Sequence, residues 1–134
     1  MTPVSPTTLK AIEELKPLAE ELNAQSNDLN QIITAISERL ASLNLGIEVW
    51  FPSESNSDIG FGKVDGRWTL AVRTGQRQDG GEFITLGVTP LTKCSRDKRI
   101  EGLAFVPQIV TRLSIETAGR LKKIAEAKQL AERL

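Results

Sequence analysis

Apolar residues recur every seven positions through the first third of the chain, at Leu15, Leu22, Leu29, Ile36 and Leu43. Seven residues are close to two turns of α-helix, so these side chains share one face. Leu18, Ile32, Ile33 and Leu40 widen the same stripe. The pattern predicts a long amphipathic helix from about Pro17 to Leu43. Ahead of it, Ser5-Pro6 has the form of a helix start. Serine can accept from an orphan N–H, and proline at the first helical position gives up no bond. Leu9, Ile12 and Leu15 follow at helical spacing. Pro17 lacks a backbone donor and clashes with the preceding turn, which predicts that a short first helix ends or kinks near Lys16.

The centre of the long stripe is polar, at Asn23, Gln25, Ser26, Asn27 and Asp28. Either the helix continues with Gln25 and Ser26 as register-setting positions on its seam, or it breaks and Ser26 or Asp28 caps a second helix. The spacing keeps phase from Leu22 to Leu29, which favours continuity. Asn44 and Gly46 supply a stop.

Beyond Gly46 the period changes from helical to two. Leu45–Phe51, Ile59–Val64, Arg67–Thr74 and Glu82–Thr89 read as strands of an antiparallel meander. Asp65-Gly66 is a strong hairpin signal. Pro52–Asp58 reads as a polar loop, and Gln76–Gly81 as a looser turn. One sheet face is expected to carry the core: Ile47, Val49, Phe51, Ile59, Phe61, Trp68, Leu70, Val72, Ile84, Leu86 and Val88. Helical spacing then returns. Ser95 can cap a helix carrying Ile100 and Leu103. Pro107 restarts or kinks it, and Ile109, Leu113, Leu121, Ile124 and Leu130 continue it past Gly119. The expected fold is therefore α+β in a single domain over 1–134: helical at 6–43, an antiparallel sheet at 45–89, and helical at 95–133. A helix from Pro17 to Leu43 would reach roughly 40 Å, further than a short-stranded sheet can cover. The last helix is the expected cover, and a second copy of the chain is the alternative.

Composition narrows the function classes. The chain has 134 residues, with 40% hydrophobic and 25% charged, as in ordinary globular domains. It has no His, no Tyr and one Cys, so a Cys–His nucleophile and a His- or Cys-based metal site fall away. No cofactor and no metal are expected. The N-terminus has neither the basic nor the apolar region of a secretory signal, and no stretch approaches a membrane span. A cytoplasmic location is the expectation.

Net charge is zero but unevenly spread: −6 over residues 1–59, +4 over 60–100 and +2 over 101–134. Arg67, Arg73, Arg77, Lys93, Arg96, Lys98 and Arg99 form a candidate polyanion-binding set near a helix start. The competing reading pairs these bases with the acidic first helix. A second candidate is the sheet face opposite the core. Glu48, Trp50, Gly60, Gly62, Arg73 and Gly87 would line a shallow groove there, unless Trp50 lies across the glycines or a helix packs against them. Cys94, beside a helix start and several bases, has a route to a lowered pKa. A packed small side chain is the expected role.

These features favour a non-enzymatic protein–protein interaction or scaffold domain that self-associates through its long helices. The partner would be a second copy or another protein. A nucleic-acid or polyanion-binding module is the alternative. An enzyme built on Arg, Lys, Ser or carboxylates is the least favoured class.

Overall fold

The computed structural model describes residues 3–134. Two helices of equal length flank a four-stranded meander, the α+β arrangement that the change of period predicts. Helix α1 runs Pro6–Ser42, followed by β1 (Val49–Glu54), β2 (Ser57–Val64), β3 (Arg67–Arg77) and β4 (Phe83–Pro90). A short 3-10 turn at Leu91–Lys93 leads into α2 (Arg96–Glu132).

Local chemistry accounts for the boundaries. Ser5 caps α1 by accepting from the Thr8 N–H at 3.2 Å, with Pro6 at the first position. Ser95 caps α2 by accepting from the Lys98 N–H at 3.3 Å. Asn44 and Gly46 take positive φ values of 52° and 66° just past the end of α1. Asp65 and Gly66, at 50° and 81°, make the two-residue turn between β2 and β3, whose twist suits paired strands.

Three expectations need correction. Pro17 does not divide α1, which is one helix of 37 residues, about 55 Å long. The missing N–H at Pro17 lies on an exposed stretch, where solvent can satisfy the freed carbonyl and a slight bend meets no packed neighbour. Pro107 and Gly119 likewise fall inside a single 37-residue α2. The loop expected at Pro52–Asp58 is mostly strand. β1 continues through Pro52 to Glu54, and Glu54 pairs with Ser57 across a tight turn. β1 is an edge strand, where a proline need not break a ladder.

Both helices pack on one sheet face. Ile33 from α1, together with Ile109 and Leu113 from α2, joins Val49, Ile59, Phe61, Leu70 and Val72 in one buried cluster. Phe61 stacks on Trp68 with ring centroids 5.6 Å apart. α1 lies over β3, and α2 over β1 and β2. β4 is left uncovered: Ile84 and Leu86, expected in the core, are exposed. Ile84 pairs with Gln76 and so stays on the core face, but no helix reaches it; Leu86 is displaced by a bulge. Thr74 pairs with Gly87 but Gly75 with Thr85, so Leu86 is an extra residue in β4. Where β4 ends, opposite Ala71, the next β3 donor needs a partner. Ser37 of α1, itself buried, accepts from the Leu70 N–H at 3.1 Å.

The two helices run in the same direction but are staggered. The start of α2 meets the middle of α1, where Arg96 donates to Ser26 Oγ and Arg99 to the Ser26 carbonyl and Asn30. The far end of α1, at Leu40 and Leu43, reaches the middle of α2 at Leu113 and Thr117. The expected cover therefore reaches only half of α1. Residues 6–25 project from one end of the body, and α2 beyond Ala118 projects from the other.

Candidate functional site

Two surfaces have the character of a site: the outer sheet face and the projecting helix halves. The outer face is filled by its own side chains. Asp58 on β2 is only 2% exposed and accepts from Arg73 Nε at 2.9 Å, while Arg77 Nη2 reaches its other oxygen at 2.7 Å. The Arg73 guanidinium is sandwiched between Trp50, at 4.9 Å, and Phe83, at 4.7 Å. Arg77 also lies over the Phe83 ring, at 5.1 Å. Trp50, Arg73, Phe83 and Arg77 thus make a stacked ladder across the sheet, with cations against ring faces and one shared carboxylate beneath.

Glycines give the ladder room. A methyl group at Gly62 would come within 2.5 Å of the Trp50 ring, and one at Gly60 would run into the Val49 carbonyl. The indole therefore lies over Gly62, and no open groove remains between Trp50 and the glycines. Of the expected groove residues, Glu48, Trp50, Gly60, Gly62 and Arg73 do share this face; Glu48 accepts from the Lys63 N–H at 3.0 Å. Gly87 does not. Its partner is Thr74, so the register places it on the opposite face. Sequence reasoning missed Asp58 and Phe83. An acid next to the apolar run Ile59–Phe61 was a signal for the first, but the second depends on strand register.

The seven candidate bases are divided, not gathered. Arg73 and Arg77 converge on Asp58. Arg96 and Arg99 hold α1. Lys98 binds Ser53, Glu54 and Glu101, with Ser53 also donating to Glu101, which ties the start of α2 to the end of β1. Arg67 and Lys93 line a shallow pocket of about 360 Å³ with Asp65 and Thr92, and neither has an ion-pair partner among the described residues.

Cys94 is half-buried, with its Sγ 3.5 Å from the Pro90 carbonyl. Burial raises its pKa, and the opposing pull of Lys98 and Arg99 is the smaller effect. The route to a reactive thiolate is closed by packing. Among the described residues, no three His, Cys, Asp or Glu side chains are gathered as metal ligands, and no helix is long and apolar enough to cross a membrane.

The helix projections are the opposite of the filled sheet face. Every residue of α1 from Pro6 to Gln25 is exposed. Yet Ile12, Leu15, Leu18, Ala19 and Leu22 continue the helical face that carries Ser26, Ile33 and Ser37 into the core. Leu15 is 57% exposed and Leu18 63%. On α2, Leu121 and Ile124 prolong the face that buries Ile109 and Leu113. They border an apolar groove against Leu43, Leu45 and Ile47, with adjoining volumes of about 370 and 470 Å³. No family model matches this chain, and no curated protein or solved structure matches it significantly.

Proposed function

We propose that this chain is a non-enzymatic protein–protein interaction or scaffold domain whose working surfaces are the projecting halves of its two helices. The observation that carries this reading is the apolar face of residues 6–25. It stays in phase with the core face of the same helix and meets nothing. A helix of about 20 residues is marginal in water when it packs on nothing, and contiguous exposed apolar surface marks interaction sites. The inventory points the same way. There is no His, the sole thiol has a raised pKa, and the best-organised polar cluster is satisfied by its own partners, two arginines on the buried Asp58.

Two measurements test it. Deleting residues 1–24 should leave the sheet and the packed helix halves folded, with a melting temperature within about 4 °C of the full chain, a shift worth no more than about 1 kcal/mol. A photoreactive residue at Leu15 in the full chain should form protein adducts in cells, whereas one at Glu13, on the far side of the helix, should not. Unfolding of the truncated chain, or no difference between the two positions, overturns the reading.

A further inference from the structure

The two projections are complementary to each other. Residues 6–25 hold two lysines and four glutamates, a net of −2. Residues 119–134 hold five bases and two acids, a net of +3. The charges sit where a neighbour would meet them. Glu14 and Glu21, seven positions apart, flank the apolar face of α1 on one side. On α2, Arg120 and Lys123 line the groove beside Leu121 and Ile124. Each projection also ends where its partner is missing. α1 runs on before α2 begins, and α2 runs on after α1 has ended, so each lacks the kind of helix that it packs against in the body. The segments can overlap for about 22 Å, since residues 6–25 span about 30 Å and 118–132 about 22 Å.

We infer that the occupant of each projection is the opposite projection of a second copy of this chain, giving a two-fold dimer in which acidic α1 segments lie on basic α2 segments. The projections leave the body at opposite ends. A two-fold axis across the helices exchanges those ends, so each α1 segment lies antiparallel beside the partner's α2 segment. Both pairs form at once and the assembly closes. This inference rests on the projections being interaction surfaces, and adds what fills them.

Charge exchange tests it. The variant E13K/E14K/E20K/E21K makes both projections basic, and R120E/K122E/K123E/K128E makes both acidic. All eight positions are exposed, and circular dichroism checks that each variant is folded. In sedimentation at low salt, the wild type should be a dimer at about 100 µM, and each variant should dissociate at least about tenfold more readily. An equimolar mixture of the two variants should recover dimer, because every contact between unlike copies then joins opposite charges. A monomeric wild type overturns the inference. So do variants that dimerise as well as the wild type, since α1 would then pair with α1, and so does a wild type that grows into open chains. If the wild type is monomeric but Leu15 still forms adducts with another protein, the interaction reading stands and only the second copy is lost.

Discussion

Asp58 is the residue on which the outer sheet face turns. It is buried, and two guanidinium groups depend on it. Replacing it with Asn keeps the shape but leaves Arg73 and Arg77 as neighbouring cations with no counter-charge. Because both arginines are partly exposed, the loss should fall below that of a fully buried pair, at about 2–3 kcal/mol in urea unfolding. The thiol of Cys94 gives a second test. A group held above its ordinary value of 9.0 stays protonated in the fold after the unfolded chain has begun to ionise. Its contribution is fully present below pH 9 and is lost as pH rises towards the folded value. Stability should therefore decline above pH 9 in the wild type and decline less in Cys94→Ala, as measured by denaturant midpoints across that range. At this scale the sequence was legible where chemistry is local. The Ser5 and Ser95 caps and the Asp65-Gly66 turn each depend on a few neighbouring residues. The partners of Asp58 lie 15 and 19 positions away, and strand register brings them together.

At the scale of elements, periodicity recovered two long helices and a meander, and it failed where one residue changes the count. The extra Leu86 in β4 reverses the facing of Gly87 and Val88 relative to an unbroken alternation. No composition signal announces such a bulge. The prolines misled for a related reason: their local cost is real, but α1 at Pro17 is exposed, so nothing nearby forbids a small bend. The glycines of β2 show how closely the sheet is built. At Gly60, an added methyl meets backbone, the Val49 carbonyl, which cannot step aside; Gly60→Ala should cost more than about 3 kcal/mol. At Gly62 it meets the far end of the Trp50 side chain, which can swing, so Gly62→Ala should cost only about 1 kcal/mol. Equal losses at the two sites would show that the indole is as fixed as the strand beside it.

For the whole molecule, the sequence correctly indicated a helix too long for its sheet but not which part would be left uncovered. The last helix was expected to cover the first. The observed stagger comes from long-range polar contacts between Ser26, Asn30 and the arginines at the start of α2, so a stripe of leucines could not reveal it. The body between the projections contains the buried cluster and the sheet. That is why removing residues 1–24 is expected to leave melting almost unchanged while abolishing adducts at the α1 stripe.

The buried hydroxyl at position 26 also acts as a ruler. Because Arg96 and Arg99 grip α1 there and at Asn30 one turn on, sliding α2 by a single helical turn would strand two cations and would lengthen or shorten both arms of the molecule together by about 5 Å. Ser26 and Asn30 thereby set the reach of both arms, and with it the spacing at which anything they grasp must be held.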